Sequence, residues 1–144
     1  MIDYQIFTDG SCRANGNGGI GVVWLKNGEK VFEYSKGFKN TTNNQMELIA
    51  ILYALLSIKN QIDSLEIITD SEYCIGVLTN PKWNPKKNIK LIETVKKAIK
   101  LKQQLVEAPI KWTHTRGHQT DDSENTKWNN LCDKLCTEAS KLWM

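Results

Sequence analysis

Between Met46 and Ile58 the chain is apolar almost all round a helix, and a helix without a polar face is stable only when other layers cover it. Thr42, three residues before Gln45, has the spacing of a capping box and marks where this helix begins. The covering layers have to come from the rest of the chain. Upstream, Asp3 to Thr8, Ile20 to Lys26 and Lys30 to Phe38 carry strand patterns. A Gly/Asn-rich turn from Asp9 to Gly19 follows the first, and Asn27-Gly28, the signal of a type I′ hairpin, joins the other two. Downstream come a short apolar strand, Leu65 to Thr69, and a short helix, Ser71 to Leu78. Pro81 and Pro85 then break the chain before a helix from about Ile89 to Leu105, with Leu91, Val95, Ala98, Leu101 and Leu105 as its apolar stripe. Ile110 to Thr115 reads as a fifth strand, and a polar loop leads to a last helix from about Asn125 to Trp143. This order predicts a mixed five-stranded α/β fold: an antiparallel meander of the first three strands, two further parallel strands, and right-handed crossovers that put helices on both faces.

With 144 residues, 40% hydrophobic and 24% charged, and with no repeat or linker, the chain reads as one domain over residues 1–144. No apolar run reaches the roughly 18 residues of a membrane span, and Met1 to Gly10 lacks the basic and apolar regions of a secretion signal. A cytoplasmic protein is expected. Cys12, Cys74, Cys132 and Cys136 show no C-x-x-C spacing, so a structural zinc is not expected, and Cys132 and Cys136 read as small buried hydrophobes kept reduced. The net charge of +3 conceals an asymmetry, because Lys82 to Lys102 holds eight Lys against the single Glu93. A basic segment on an otherwise acidic body points to a polyanionic partner beside a carboxylate-rich site, with a solvated lysine face as the plain alternative.

Asp9 ends the first strand pattern and Asp70 the fourth, so parallel neighbours would bring both carboxylates to the carboxyl edge of the sheet, where such folds place their sites. Like charges there repel unless a cation joins them. Glu47 is a charge in the second turn of the apolar helix, and Asp133 follows Leu131 and Cys132 in the apolar part of the last one. Four carboxylates with few nitrogen or sulfur donors describe a site for a hard cation such as Mg²⁺. Two such ions about 4 Å apart suit phosphoryl displacement by water. His114 alternates within a strand and reads as structural. His118, in the loop Arg116-Gly117-His118-Gln119, could move a proton. Gly16, Gly18 and Gly21 mimic a dinucleotide fingerprint, but a strand follows them where that fingerprint needs a helix; they are expected to shape a turn or admit a phosphate chain.

Five stretches resemble, in order, the motifs of type 1 ribonuclease H: Thr8-Asp9-Gly10-Ser11-Cys12 with Asn15; Thr41-Thr42-Asn43-Asn44-Gln45-Met46-Glu47-Leu48; Thr69-Asp70-Ser71-Glu72-Tyr73; Arg116-Gly117-His118; and Asn130-Leu131-Cys132-Asp133-Lys134-Leu135. The resemblance spans nearly the whole chain and implies the same mixed five-stranded fold. It further implies endonucleolytic hydrolysis of the RNA strand of RNA/DNA hybrids with two divalent ions, Mg²⁺ or alternatively Mn²⁺, leaving 5′-phosphate ends. Asp9, Glu47, Asp70 and Asp133 correspond to metal ligands and His118 to the catalytic histidine. Cys12, Asn15, Asn43, Asn44 and Glu72 correspond to positions that touch the minor groove and sugars of the hybrid, with Glu72 standing where Gln is often found. Amide side chains suit that task because they can recognise the 2′-OH of RNA. The span from Asp70 to Asn88 is shorter than in members with a full basic protrusion, and the loop from His118 to Asp133 is longer than usual. Lys82, Trp83, Lys86 and Lys87 still offer charge and an aromatic platform for a duplex. A monomer is expected. The alternatives are a DNA-processing nuclease of the same fold, such as an integrase or junction resolvase, and a catalytically inactive hybrid-binding module.

Overall fold

A computed structural model of the protein describes residues 3–116 and 123–142. Five strands, β1 (Tyr4–Cys12), β2 (Gly18–Lys26), β3 (Glu29–Phe38), β4 (Leu65–Thr69) and β5 (Lys111–His114), form one sheet in the order β3-β2-β1-β4-β5. The first three pair antiparallel, while β4 runs parallel to β1 and β5 parallel to β4. The helices are α1 (Asn43–Leu56), α2 (Glu72–Thr79), α3 (Ile89–Gln103) and α4 (Glu124–Ala139). This is the mixed sheet the sequence predicts.

Local chemistry explains the turns. Asn27 and Gly28 have φ of 51° and 83°, the paired positive values of a type I′ hairpin. Thr42 caps α1 by accepting the Gln45 N–H at 3.2 Å, a contact worth about 1 kcal/mol. The return half of the capping box is replaced: Gln45 Oε1 accepts from the Thr41 hydroxyl at 3.1 Å, and Gln45 Nε2 donates to Asn88 Oδ1 at 3.3 Å.

Strand alternation divides the core into two layers. Ile6, Val22, Trp24, Leu65 and Ile67 face Leu48, Ile51 and Leu55 of α1, with Ile92 and Val95 of α3 behind them. The residues between, Phe7, Val23, Leu25 and Ile68, face Trp128 and Cys132 of α4. Covered on both sides, β2 is buried from Gly18 to Leu25. The apolar helix α1 lies between the sheet and α3, which is why it carries almost no polar face. Among the described residues no helix is long and apolar enough to cross a membrane.

Several details differ from expectation. Asp9 does not end its strand, because β1 pairs with β2 as far as Cys12 opposite Gly18; only the pairing with β4 stops at Thr8 opposite Thr69. Of the apolar stripe expected for α3, Leu91, Val95, Ala98 and Leu105 pack against the core, whereas Leu101 is 60% exposed and Ile92, outside that stripe, is buried. Strand β5 is shorter than Ile110 to Thr115, and α4 ends at Ala139, before Trp143.

Candidate active site

Parallel pairing brings Thr8 of β1 level with Thr69 of β4, so the residues that follow, Asp9 and Asp70, meet where β4 runs out. Ser71 turns the chain away at once by capping α2, its hydroxyl accepting the Cys74 N–H at 3.1 Å. Glu47 arrives from α1, and Gly10 is what lets it come close. A Cβ on Gly10 would overlap the Met46 carbonyl and the Glu47 amide. With the backbone bare, the Gly10 N–H donates both to Glu47 Oε1 at 2.5 Å and to Asp9 Oδ1 at 2.9 Å. One carboxylate oxygen each from Asp9, Glu47 and Asp70 lie within 4.8 Å of one another. Asp133 approaches from the opposite face on α4, and its carboxylate, that of Asp9 and the thiol of Cys136 form a second group within the same distance.

That approach of α4 explains Gly21, expected with Gly16 and Gly18 to shape a turn or admit a phosphate chain, and Gly19 beside it. A Cβ on Gly19 or Gly21 would overlap the carbonyls of Cys136 and Cys132, and one on Gly18 would press into Thr41 and Met46. Helices, not a phosphate, occupy the space these residues leave open. Gly16, with φ of 89°, does shape the turn between β1 and β2.

Asp9 is 5% exposed. Burial first, then the charges of Asp70 and Asp133, push its carboxyl up to about 7, against the stabilising bonds from Gly10 and Glu47. Glu47 is held well above the usual carboxylate range, by burial and then by the charges of Asp9 and Asp70. Among the described residues no Lys or Arg makes an ion pair with Asp9, Glu47 or Asp70. The stability consequence has a definite sign. A carboxyl near 4 in the unfolded chain and near 7 when folded binds an extra proton in the folded state between those values. Its stabilising contribution is complete below the lower value and is lost as pH rises through 7. In metal-free buffer the protein should therefore melt lower at pH 8 than at pH 6, and Asp9→Asn should remove much of that decline. Parallel melting curves of the two proteins across this range would contradict the shift.

Beside the carboxylates, a groove of about 720 Å³ is lined by Thr42, Asn43, Asn44, Gln45, Lys87 and Asn88. Asn43 Oδ1 accepts the Cys12 N–H at 2.7 Å, and the Cys12 thiol donates to the Thr41 carbonyl at 3.1 Å, which ties the end of β1 to the start of α1. Asn15 is exposed in the β1–β2 turn, where its Oδ1 accepts from the Asn17 N–H at 3.0 Å. Asn88 was not singled out from the sequence. It precedes α3 at φ 60°, accepts from Gln45 and donates to the Tyr73 hydroxyl at 3.3 Å, so it joins the groove to both helices. An Asn just before a helical pattern, a residue type that tolerates positive φ, is the signal that could have found it. Lys82, Trp83 and Lys86 lie exposed between α2 and α3. One edge of the Trp83 ring packs on the bare Gly76 backbone, and the indole remains 45% exposed. Glu72 is exposed at the start of α2, with Oε1 4.0 Å from His114 Nδ1. His114, expected to be structural, sits at the edge of the site with Nε2 3.3 Å from the Asp70 carbonyl oxygen. His118 lies outside the described residues.

Known proteins resemble this chain over nearly its whole length. The family model for RNase H matches residues 2–141. A ribonuclease H from Clostridium botulinum (strain Hall) is 37% identical over 152 residues, covering 93% of both chains. One from Actinobacillus pleuropneumoniae serotype 5b is 36% identical over 138 residues, covering 91% of this chain and 86% of the relative. Among solved structures, LC11-RNase H1 in complex with an RNA/DNA hybrid superposes with a TM-score of 0.74 at 26% identity, over 94% of this chain and 95% of that one.

Proposed function

Because this chain belongs to the ribonuclease H family, we propose that it is an endonuclease that hydrolyses the RNA strand of RNA/DNA hybrids, with Asp9, Glu47, Asp70 and Asp133 as its metal ligands. The observation that carries the reading is the convergence of these carboxylates from β1, α1, β4 and α4 on one sheet edge. Burial and then mutual repulsion raise Asp9 and Glu47, divalent cations would relieve the repulsion, and an all-oxygen group made of Asp9, Glu47 and Asp70 fits a hard ion such as Mg²⁺. When bound, a pair of such ions supplies an activated water and charge stabilisation for the leaving oxygen.

The chain's own residues do the rest. Asp9, common to both groups of donors, fixes their spacing, and the Gly10 N–H holds Asp9 and Glu47 in register. The amides of Asn43, Asn44 and Asn88 line a groove suited to sugars and phosphates, and 2′-OH recognition by such groups would select RNA. Cys12, Asn15 and Glu72 border the same edge as substrate contacts. Trp83 offers a stacking face beside Lys82, Lys86 and Lys87, which bring positive charge to the duplex backbone. His118 is proposed to assist proton transfer at the leaving group or product departure. The protein is proposed to act as a monomer in the cytoplasm.

Incubation with labelled RNA/DNA, DNA/DNA and RNA/RNA duplexes in Mg²⁺ tests the substrate class: cleavage confined to the hybrid supports the reading, and cleavage of DNA/DNA would favour a DNA-processing nuclease. For the lysines, the Lys86→Ala, Lys87→Ala double variant should flatten the log-log dependence of hybrid binding on salt by up to about two units, with little change in cleavage at saturating hybrid. An unchanged slope would make this segment a solvated face.

A further inference from the structure

The chain leaves β4 through two carbonyls, those of Thr69 and Asp70, and β5 meets each with a different group. Thr69 lies level with His114, and its carbonyl accepts the Thr115 N–H at 2.9 Å. One residue on, where the chain enters α2, it is the His114 ring that meets the Asp70 carbonyl, with Nε2 3.3 Å from the oxygen. A carbonyl oxygen can only accept, so this ring nitrogen carries the proton. Nδ1 looks toward the exposed Glu72 carboxylate at 4.0 Å, beyond hydrogen-bond reach. Among the described residues the Asp70 carbonyl is therefore the hydrogen-bond partner of the ring. Alternation sets this direction: Trp112 packs against the core beneath α1 and α3, and His114, two residues later, projects on the same side of the sheet.

The bond completes a hold on the backbone of Asp70. The peptide between Thr69 and Asp70 is fixed to β5 through the Thr69 carbonyl, and the peptide between Asp70 and Ser71 is gripped at both ends. Its carbonyl takes the His114 donation, and its N–H donates to Thr69 Oγ1 at 3.1 Å. With both flanking peptides held, φ and ψ of Asp70 are set, and with them the direction of its Cβ. We propose that His114 is a positioning residue, which aims the Asp70 carboxylate at the divalent cations by holding the Asp70 carbonyl and touches neither metal nor substrate. Groups that orient a metal ligand affect metal affinity nearly as much as some ligands do. Water can replace the bond at this partly exposed ring, but it cannot replace the bond's direction. The inference rests on Asp70 being a metal ligand, as proposed above.

Manganese is the probe, because its binding can be followed by calorimetry on the full chain with no substrate present. His114→Ala should weaken Mn²⁺ affinity roughly 10-fold and lower kcat on hybrid in Mg²⁺ by about as much, with KM for the hybrid nearly unchanged. His114→Gln, whose amide nitrogen reaches the place of Nε2, should return both quantities to within about threefold of the wild type. Circular dichroism melts show that each variant is folded. Wild-type Mn²⁺ affinity in His114→Ala would make His114 a mere strand end, and a Gln variant no better than the Ala variant would show that the donated bond is not the cause; either result overturns the inference. The metal reading of Asp70 fails in a different protein, the wild type, by absent Mn²⁺ binding, and takes this inference with it.

Discussion

Asp70→Asn should lower kcat on RNA/DNA hybrid by at least roughly 10³-fold while leaving the fold intact and hybrid binding nearly unchanged. The substitution keeps the size of the side chain but removes a negative charge at the point where β1 and β4 deliver their carboxylates together. That charge is needed only when cations and a developing phosphorane are present, so its loss falls on the transition state. Before metal binds, Asp70 is a liability, since it is among the charges that raise both Asp9 and Glu47. Melting in metal-free buffer above pH 7 should therefore show Asp70→Asn as stable as the wild type or more so. A variant that cleaves at near-normal rate in Mg²⁺ would remove Asp70 from the site, and one that fails to fold would make its role structural.

The second large effect is expected from a residue with no side chain. Gly10→Ala places a methyl group against the Met46 carbonyl and the Glu47 amide, atoms of a helix backbone that cannot rotate aside. Either β1 or α1 has to shift. Overpacking of this kind costs about 3 kcal/mol, and here it also separates Asp9 from Glu47 and breaks the bifurcated Gly10 donation. A displacement near 1 Å in a reacting site costs about 10²-fold in rate, so kcat should fall together with the denaturation midpoint. Wild-type stability and turnover in Gly10→Ala would mean that the contact between β1 and α1 is softer than the geometry implies.

Features written in short-range chemistry were legible. Asn27-Gly28 announces its turn because few other pairs adopt two positive φ values, and Thr42 announces a helix start because its hydroxyl reaches an amide three residues on. Asp9 and Asp70 could be paired from the sequence because parallel strands that begin in register also end in register. What escaped was set by close approach between distant elements. Gly19 and Gly21 make room for α4, but only the packed structure reveals what fills that room. The edge of the buried face of α3 depends on how the helix leans on α1, so spacing marked Leu101, which packing leaves exposed, and passed over Ile92, which packing buries. Cys136 read as one more buried hydrophobe because nothing local brings it to Asp9, which lies on another element more than a hundred residues earlier. Asn88 joined the groove through the side chains of Gln45 and Tyr73, partners that its own neighbourhood in sequence does not name.

The most direct test labels the two strands of one hybrid separately and follows both during incubation with the wild-type protein, in Mg²⁺ and in excess chelator. A carboxylate site that holds divalent cations against an RNA strand predicts cuts in the RNA alone, 5′-phosphate on the products, and no cleavage once the metal is removed. Cleavage of the DNA strand, cleavage that persists in chelator, or firm hybrid binding with both strands left whole in Mg²⁺ would contradict it.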